Sequence, residues 1–382
     1  MEKIKLGDLC VPKKGQIKEE ADVIIDYIDI ASVDNESKKV TGFQTMSFGE
    51  APSRARKAVE KGDILISTVR PNLNAVAILE EDTPNISVAS TGFCILKCKD
   101  NVDNRFVFNF CKSKAFIKDM VSQATGASYP AVNDDIVRSA LIPNYSYEEQ
   151  CHISEILDGM SFTIEKRKVE LQALDELTKA RFIEMFGDVQ HEEKYKGIPL
   201  RDLCTTMSGG TPSTKFTEYY EGDIPWISTV SLGPNHINGS TAKGYITQEA
   251  IENRATKLIP AGNILFGTRV GVGKSSLNDV DICTNQDIVA IIGIDESRFK
   301  RLFIKYVLDA YQPYYDSIKK GATILGITGD DLKDTLIPDV PLSIQVEFEL
   351  FVEQVDKSKV AVQKALDETQ MLFDSLMQEY FG

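Results

Sequence analysis

The chain has 382 residues, of which 42% are hydrophobic, so two or three domains with apolar cores are expected. No apolar run approaches the roughly 20 residues of a membrane-spanning helix, and the charged N-terminal sequence does not resemble a signal peptide, which together favour a cytoplasmic protein. Seven scattered cysteines and three separated histidines favour neither a disulfide framework nor a zinc site, so no metal is expected.

Residues 1–145 show short, mixed patterns that predict a globular domain. Alternation of apolar and polar residues predicts strands, and a longer apolar periodicity predicts a helix. The predicted strands cover residues 22–30, 63–69, 76–79 and 92–96, and the predicted helix covers residues 105–122. The carboxylate pair Asp134 and Asp135, like the pair Asp330 and Asp331 in the second half of the chain, is interpreted as capping a helix start, before Ile136 and before Leu332 respectively.

Residues 146–187 form one long periodic stretch without proline. Its apolar residues recur three and four positions apart, which is the spacing of a coiled-coil seam. Gly187 stands where a helix stop is expected. A central spacer helix is therefore predicted, followed by a polar linker at residues 188–195.

The second half of the chain repeats the first. Residues 341–382 predict a C-terminal spacer helix, and a shift of 195 residues maps the first helix onto it, with Gln150 on Gln345. Residues 188–340 repeat the globular domain. Residues 62–68 (GDILIST) correspond to residues 262–268 (GNILFGT), and each block ends with the sequence Leu-Ile-Pro. The second block predicts strands at residues 224–228, 264–268 and 288–294, and helices at residues 251–257 and 301–319.

The two predicted helices share one apolar register, so each is the natural partner of the other. Their predicted contact positions are Ile153, Leu157, Met160, Ile164, Leu171 and Leu174 in the first helix, and Phe348, Val352, Val355, Val362, Leu366 and Phe373 in the second. The same register places Lys359 and Thr369 in the seam. The apolar seam itself is interpreted as a structural core.

The net charge of −14 argues at first sight against a nucleic-acid binder, but its distribution changes that conclusion. Residues 146–187 carry 9 acids and 5 bases, and residues 341–382 carry 8 acids and 3 bases, so the helices hold −4 and −5 of the total. The globular blocks are close to balance. The helices are therefore a poor surface for DNA and a better surface for docking a protein.

These patterns predict an α+β fold with an internal repeat. Two tandem globular domains, each a mixed and mostly antiparallel sheet with helices, alternate with two long helices that pair with each other as a coiled coil. The expected division is 1–145, 146–187, 188–340 and 341–382.

The whole chain resembles the specificity subunit of type I restriction–modification systems. The duplicated layout carries the resemblance, together with three groups of motifs. These are residues 209–213 (GGTPS) with 222–228 (GDIPWIS), residues 262–269 (GNILFGTR) with 285–287 (NQD), and residues 62–72 (GDILISTVRPN) with 88–93 (VASTGF).

The resemblance implies that each globular block is a target-recognition domain that reads one half of a split sequence in double-stranded DNA. It implies that the helices pair as an antiparallel coiled coil about a pseudo-twofold axis, hold these domains apart and dock two methyltransferase subunits, with restriction subunits as further partners. Methylation of adenine at N6 with S-adenosylmethionine, base flipping and ATP-driven cleavage with magnesium would belong to those subunits. No cofactor is expected in this chain.

DNA contact requires cations that neutralise phosphates and polar side chains that read base edges. Arg70 and Arg269, which follow matching strand ends, are the strongest individual candidates. The first block offers Arg54, Arg56, Lys57, Thr68, Arg70, Asn72, Asn74, Ser90, Thr91, Ser128 and Tyr129. The second offers Thr211, Ser213, Thr214, Lys215, Trp226, Ser228, Lys243, Arg269, Lys274, Asn285, Gln286, Lys319, Lys320 and Thr323. For each of these the alternative is a solvated, capping or core side chain.

Motifs for catalysis are weak or missing. Residues 271–275 (GVGKS) resemble the end of a phosphate-binding loop, but Thr268 stands where such a loop requires glycine. The methyltransferase, helicase and nuclease motifs are absent from the sequence, so no catalytic residue is expected. Two alternatives stay open: a coiled-coil scaffold that binds proteins and not DNA, and an enzyme with its own methyltransferase or nuclease activity.

Overall fold

The computed structural model describes residues 2–12, 17, 22–191, 194–321 and 323–382. Residues 192 and 193 of the predicted linker lie outside the described part. The chain divides into two compact units, the first formed by Met1–Val169 with Val362–Gly382 and the second by Glu170–Ala361. Each unit therefore combines one globular block with part of each long helix.

Short strands and helices build the first globular block. Its strands are β1 Lys3–Lys5, β2 Ile24–Ile28, β3 Gln44–Ser47, β4 Ala55–Ala58, β5 Ile64–Ser67, β6 Val76–Ile78, β7 Ile86–Ser90, β8 Phe93–Leu96 and β9 Leu141–Pro143. Its helices are α1 Asn104–Lys112, α2 Lys114–Gln123 and α3 Asp134–Ser139, and the long helix α4 Tyr147–Phe186 follows.

The second block is built in the same way. Its strands are β10 Gly197–Pro199, β11 Thr205–Ser208, β12 Ile224–Ile227, β13 His236–Ile237, β14 Gly244–Ile246, β15 Leu258–Ile259, β16 Ile264–Gly267, β17 Ser275–Asn278, β18 Ile282–Thr284, β19 Ile288–Ile292 and β20 Leu336–Pro338. Its helices are α5 Gln248–Glu252, α6 Arg301–Ala310, α7 Gln312–Ile318 and α8 Gly329–Lys333, and the long helix α9 Leu342–Phe381 follows.

The strand order confirms the internal duplication. The first block contains the sheets β3-β2-β7-β4 and β6-β5-β8, and the second contains β14-β12-β18-β15 and β11-β19-β16-β17-β13. In each block the first sheet has one parallel pair, β2 with β7 and β12 with β18, among antiparallel neighbours. The fold is thus α+β with mixed, mostly antiparallel sheets. The second block adds β11 and β13 at the two edges of its larger sheet.

A two-stranded sheet closes each block. In the first, β1 pairs antiparallel with β9, and in the second, β10 pairs antiparallel with β20. The Leu-Ile-Pro sequences that end the blocks form β9 and β20. The chain therefore enters and leaves each block at the same place, immediately before the long helix.

Three helix predictions were wrong in their bounds. The helix predicted at residues 105–122 is two helices, because Ser113 has extended backbone and its side chain caps α2 by accepting from the N–H of Phe116. The helix predicted at residues 301–319 is likewise interrupted, at Tyr311 between α6 and α7. The helix predicted at residues 251–257 is α5, Gln248–Glu252, which begins earlier because Thr247 caps it and ends earlier, at Glu252.

The carboxylate pairs lie at helix starts, as interpreted from the sequence. Asp134 and Asp135 occupy the first turn of α3, whose N-cap is Asn133. Asp331 forms a capping box with Thr328, which is the N-cap of α8. Asn133 therefore caps α3, where Asp134 and Asp135 add negative charge at the positive end of the helix, and Asp331 accepts from the N–H of Thr328.

The long helices pack antiparallel against each other within each unit. In the first unit, Ile153 and Leu157 of α4 are buried in one core with Met377 and Phe381 of α9 and with the phenylalanines of α1. In the second unit, Phe182 and Phe186 of α4 pack against Phe348 of α9 and against Phe303 of α6. The helix ends thus belong to the cores of the globular blocks as well as to the seam.

The predicted contact positions fall on the inner side of the helices. Ile153, Leu157, Ile164, Phe348, Val352 and Val355 are buried, and Met160, Leu171, Leu174, Val362, Leu366 and Phe373 are half-buried. Polar residues occupy the same stripe. Arg167 donates to the carbonyl of Ala365 and to Thr369 Oγ1, and Lys359 forms an ion pair with Asp175.

Two equivalent glutamines join each long helix to its globular block. Gln150 Oε1 accepts from the N–H of Asp103 at 3.1 Å, and Gln345 Oε1 accepts from the N–H of Lys300 at 2.8 Å. Asp103 and Lys300 are the residues that precede α1 and α6. Both glutamines are buried, so these bonds fix the start of each long helix to the start of a helix in the block.

None of the helices in the described part of the chain combines the length and the apolar character that a membrane span requires.

Candidate nucleic-acid interface

Three loops meet at the end of β5 in the first unit. The N–H of Thr68 donates to the carbonyl of Gly92 at 2.8 Å, and the N–H of Val132 donates to the carbonyl of Thr68 at 2.9 Å. Further on, the N–H of Arg70 donates to the carbonyl of Pro130 at 2.7 Å. We call this surface the first loop face, formed by residues 68–74, 90–92 and 125–131.

Arg70 is the most prominent cation of the first loop face. Its backbone is left-handed, with φ of 50°, at the start of the short turn Pro71–Leu73. Its guanidinium lies 4.8 Å from the centre of the Tyr129 ring. No carboxylate of the described residues lies within ion-pair distance of it. Arg70 is therefore exposed, oriented by the stacking contact, and available for an anion.

Other predicted residues of the first loop face are also exposed. Asn72, Ser128 and Tyr129 are exposed, and Thr91 is half-buried. Arg54 is exposed and adjoins the face, because its carbonyl accepts from the N–H of Thr91 at 2.8 Å. The fold thus brings residues from four distant segments of the sequence to one surface.

The remaining predicted residues of the first block are engaged inside the protein. Lys57 forms an ion pair with Asp134 at 2.8 Å, which ties β4 to the start of α3. Thr68, Asn74 and Ser90 are buried, and Thr68 Oγ1 donates to the carbonyl of Gly92 at 2.9 Å. Arg56 is half-buried above the Phe48 ring. These five residues shape the loops and have no open surface comparable to that of Arg70.

The second unit has an equivalent surface at the end of β16. The N–H of Thr268 donates to the carbonyl of Asp287 at 2.8 Å, and the N–H of Ile327 donates to the carbonyl of Thr268 at 2.9 Å. The N–H of Gly210 donates to the carbonyl of Thr284 at 2.8 Å. We call this surface the second loop face, formed by residues 209–213, 226–231, 268–269, 284–287, 320–321 and 323–327.

Arg269 occupies the second loop face one residue after Thr268, as Arg70 comes shortly after Thr68. Its Nη1 lies 3.6 Å from Asp287 Oδ1, and its side chain is 56% exposed. The ion pair is loose, and the side chain of Asp287 is only 14% exposed. Asp287 therefore orients Arg269 and leaves most of its guanidinium open to solvent.

The predicted residues of the second block divide into three groups. Thr211, Ser213, Gln286, Lys320 and Thr323 are exposed within the second loop face, Asn285 is half-buried there, and Thr211 donates to Gln286. Thr214, Lys215, Lys243 and Lys274 are exposed in the adjoining loops. Lys319 is paired with Asp316, Ser228 is buried, and half-buried Trp226 donates to the carbonyl of Gly210 at 3.2 Å.

The glycines of the GGTPS motif allow a close approach of backbones. A Cβ at Gly209 would collide with the Thr284 side chain and with the carbonyls of Thr284 and Asn285. A Cβ at Gly210 would lie 2.7 Å from the carbonyl of Ala255. Glycine is thus required for the loop to lie against the end of β18, which positions Thr211 beside Gln286.

Several buried polar atoms of the second loop face have no hydrogen-bond partner within the described residues. They are Ser228 Oγ, Thr284 Oγ1, Asn285 Oδ1 and Asp287 Oδ1, the last of which lies 3.6 Å from Arg269 Nη1. Buried groups of this kind are usually satisfied by water, and bridging water is a regular component of protein–DNA interfaces. The second loop face is therefore suited to water-mediated contacts as well as direct ones.

Two features of the loop faces were not predicted from the sequence. Asp287, which orients Arg269, was not among the candidates, although it follows Asn285 and Gln286 directly. Ile324 is 54% exposed in the loop that corresponds to the Tyr129 loop, where the shift of 195 residues aligns the two. An exposed aliphatic residue at a loop tip offers an apolar contact to a base or methyl group.

Neither a metal centre nor a phosphate-binding loop is formed by the described residues. The part of the chain that the structure describes holds no group of three side chains arranged to bind a metal. In residues 271–275, Gly271 and Gly273 have positive φ and form a tight turn after β16. The N–H of Gly273 donates to the carbonyl of Gly267 at 3.0 Å, so this segment is a hairpin connection.

A family model described as the type I restriction modification DNA specificity domain matches residues 1–174 and 192–369. The specificity subunit of the type I restriction enzyme MjaIX from Methanocaldococcus jannaschii is 31% identical over 140 residues, which are 36% of this chain and 32% of that protein. The specificity subunit of the HindI enzyme from Haemophilus influenzae is 21% identical over 348 residues, covering 72% of this chain and 75% of that protein.

The match thus spans about a third of the length of the first relative and three quarters of the second. One solved structure, from a study of complex assembly and conformational transition of the type I R-M system, aligns with a TM-score of 0.64 and 23% identity. The alignment covers 100% of this chain and 97% of that one, so the fold is shared over the full length.

Proposed function

Because the chain belongs to the type I restriction–modification DNA specificity family, we propose that it is the DNA-reading specificity subunit of such a system. Each globular block reads one half of a split target in double-stranded DNA. The chain directs adenine N6 methylation, and restriction, which are carried out by partner subunits. It performs no catalytic step itself, and it acts in the cytoplasm.

The observation that carries this proposal is the equivalence of the two loop faces. Each lies at the end of corresponding strands, β5 and β16, and each presents one oriented, exposed arginine. A guanidinium donates two parallel hydrogen bonds to guanine or to a phosphate, and the surrounding amides and hydroxyls supply further base and backbone contacts. The two loop faces have the same backbone arrangement but different side chains, so they are suited to read two half-sites of different sequence.

The charge distribution supports different roles for the helices and the globular blocks, with the helices docking proteins and the blocks binding DNA. The helix segments 146–187 and 341–382 carry −4 and −5 over 42 residues each, while the first block carries −1 over 145 residues and the second carries −4 over 153. An acidic helix surface repels the DNA backbone and can attract basic surfaces of proteins. We assign the outer faces of α4 and α9 to docking of two methyltransferase subunits, and we assign their length to the gap between the half-sites.

The cofactors belong to the partners in this proposal. S-adenosylmethionine supplies the methyl group in the methyltransferase subunits, and ATP with magnesium drives the restriction subunits. The residues of this chain orient the DNA so that one adenine in each half-site can be flipped into a partner.

Methylation mapping tests the proposal directly. DNA from cells with the complete system is compared with DNA from cells that lack only this chain. The expected result is a bipartite methylated sequence that disappears with the chain. Arg70→Ala is expected to lower methylation of the target or relax the sequence required in the half-site read by the first block, and Arg269→Ala is expected to do the same for the other half-site. An unchanged methylation pattern without the chain would favour the coiled-coil scaffold without a DNA role.

The helices are tested separately by length. Removing one helical turn, about four residues, from both α4 and α9 is expected to change the gap and leave both half-sites intact. A change in the half-sites themselves would contradict the assignment of the helices as spacers.

A further inference from the structure

One sheet edge, at β17 in the second block and at β6 in the first, is covered by a further strand in the second block only, as far as the described residues show. In the second unit β17 is covered by β13, which runs parallel to it. The N–H of Leu277 donates to the carbonyl of Asn235 at 2.8 Å, and the N–H of Asp279 donates to the carbonyl of Ile237 at 2.9 Å. The side chain of Asn235 also donates to Asp356 Oδ2 of α9 at 2.9 Å. This segment therefore fills the space between the sheet edge and the long helix.

The corresponding edge of the first unit has no such strand in the described residues. There β6 is the edge strand, and among the strands that the structure describes it pairs only with β5. Ile64 of the first block corresponds to Ile264 of the second, and these residues pair with Ile78 and Leu277 respectively. Ile78 is therefore the counterpart of Leu277, and Glu80, two residues later, is the counterpart of Asp279. Since the N–H of Leu79 donates to Asp63 of the loop before β5, the N–H groups of Ile78 and Glu80 point away from β5.

The chain segment that forms β13 in the second unit folds differently in the first. Residues 33–40 form a tight hairpin in which Val33 pairs with Val40. The N–H of Asp34 donates to the carbonyl of Lys39 at 3.0 Å, and Lys38 takes a left-handed conformation with φ of 57°. This turn uses its backbone groups internally. Among the described residues, the N–H groups of Ile78 and Glu80 have no acceptor.

A cavity of about 980 Å³ lies at this edge. Ile78 and Glu80 line it from the sheet, residues 36–43 line it from the hairpin, and Asp158, Ser161 and Phe162 line it from α4. In the second unit Asp356 accepts a hydrogen bond from the side chain of Asn235. Ser161 stands 195 residues before Asp356 and is its counterpart in the first unit. The cavity is thus the space that β13 and its flanking residues occupy in the other block.

Lys112 supplies a cation to this cavity without an anionic partner. It lines the cavity from α1, and its Nζ lies 4.4 Å from the centre of the Phe108 ring. Arg105, which also lines the cavity, already pairs with Glu80 and Asp158. Within the described residues no carboxylate lies within ion-pair distance of Lys112. Burial lowers the pKa of Lys112 to about 8, with Asp158 acting in the opposite direction.

We propose that this cavity is a docking site for an extended segment of a partner protein, which adds in parallel to β6 and places an acidic side chain against Lys112. Backbone bonds to Ile78 and Glu80 supply affinity, as in other cases of strand addition, and Lys112 supplies selectivity. The second unit cannot accept such a segment because β13 occupies the equivalent edge. This inference is independent of the proposed DNA function.

The test uses the full-length chain and a pool of short, acetylated peptides rich in valine and threonine. One set carries aspartate at a scanned position and the matched set carries lysine there. Binding is measured by fluorescence anisotropy, and backbone protection by amide hydrogen exchange at residue resolution. In the free protein the amides of Ile78 and Glu80 are expected to exchange faster than those of Leu277 and Asp279.

Aspartate peptides are expected to bind about tenfold more tightly than lysine peptides, since a charge-assisted bond in a desolvated site contributes that much. Binding should protect Ile78 and Glu80 and leave Leu277 unchanged. Lys112→Glu should reverse the preference, Lys112→Met should abolish it, and Lys118→Glu on the exposed face of α2 should keep it. The proposal is wrong if no peptide binds, if the two amides stay unprotected, or if Lys112→Glu acts no differently from Lys118→Glu.

Discussion

Gln345 Oε1 accepts a 2.8 Å hydrogen bond from the backbone N–H of Lys300, the residue that precedes α6. The side-chain amide of Gln345 also donates to the carbonyls of Arg298 and Val340 at 3.1 and 2.8 Å. One buried side chain therefore satisfies three backbone groups at the point where the long helix meets its block. Gln150 has the same role in the first unit with two such bonds, to Asp103 and Tyr145.

Replacing these glutamines tests their role in stability. Gln345→Ala is expected to lower the free energy of unfolding by about 1–3 kcal/mol, because it leaves buried backbone groups without partners. Gln150→Ala is expected to cost less, since it removes fewer bonds. Urea unfolding followed by circular dichroism measures both. Gln363→Ala, whose amide bonds only to exposed Asp367, is the control and should have little effect. Equal effects for all three variants would contradict the assigned role.

The polar residue at the centre of the first unit's helix pair gives a second prediction. Arg167 donates to Ala365 and Thr369, but Thr369 Oγ1 has a second partner in the carbonyl of Ala365 at 2.7 Å. Arg167→Leu therefore leaves no orphaned polar group. The free energy of unfolding is expected to stay within about 1 kcal/mol of the original value or to rise, as for other polar seam positions replaced by apolar residues.

The measurement for Arg167→Leu is again urea unfolding, with Lys168→Leu on the neighbouring exposed position as the control. A clear loss of stability in Arg167→Leu alone would mean that the bonds of Arg167 to Ala365 and Thr369 stabilise the helix pair more than an apolar side chain does.

Lys112 predicts a specific pH dependence. Its pKa falls from 10.5 to about 8 on folding, chiefly because it is buried. Between these values the unfolded chain binds more protons than the folded chain at this residue, so Lys112 makes stability rise as the pH increases through that window. Below pH 8 both states are protonated, and burial of the charge destabilises the fold. Lys112→Met is therefore expected to be the more stable form at pH 7.

This prediction is measured as the difference between Lys112→Met and the original chain, because buried thiols act in the opposite direction. Burial raises the pKa of Cys204 and of Cys283 to about 11, which weakens the fold as the pH rises through the normal thiol range. The stability difference should shrink from pH 7 towards pH 10. A difference that does not change with pH would contradict the assigned pKa of Lys112.

Gly209 tests the geometry of the second loop face. Gly209→Ala forces a Cβ against the carbonyls of Thr284 and Asn285, so the loop must move and Thr211 loses its position beside Gln286. We expect a loss of stability of about 1–3 kcal/mol, as for other overpacked sites, and weaker DNA binding by the assembled complex. Gly329→Ala is the matched control, since nothing lies within 4 Å of a Cβ at that position. Normal binding by Gly209→Ala would remove this loop from the interface.

The repeat, the fold class and the long helices could be predicted from the sequence because they depend on periodicity. A shift that aligns Gln150 with Gln345 needs no knowledge of contacts. The helix breaks at Ser113 and Tyr311 could not be predicted in this way. The pattern of apolar residues continues across both positions, although the helical conformation of the backbone is interrupted there. The seam position Arg167 was also missed, because a search for regularly spaced apolar residues does not find a polar one.

The candidate interface was predictable in part. Arg70 and Arg269 follow recognisable strands, and the fold places both on loop faces. Lys57 and Lys319 look equally suitable in the sequence, but the structure pairs them with Asp134 and Asp316. Such pairings depend on the tertiary approach of segments that are far apart or on the local turn of a helix. The unpaired edge of β6 was not predicted. Nothing in the sequence of β6 indicates that a strand equivalent to β13 is missing beside it in the described residues.

Met377 and Phe381 are buried in the core of the first unit, although more than two hundred residues separate them from the first globular block. A ribosome that has completed the first block and α4 has therefore not yet made two of the side chains that the first core requires. The second block and most of α9 must be synthesised before that core can close. The first unit is thus begun first and finished last, and it is the part that a chaperone or protease would meet in an incomplete state during translation.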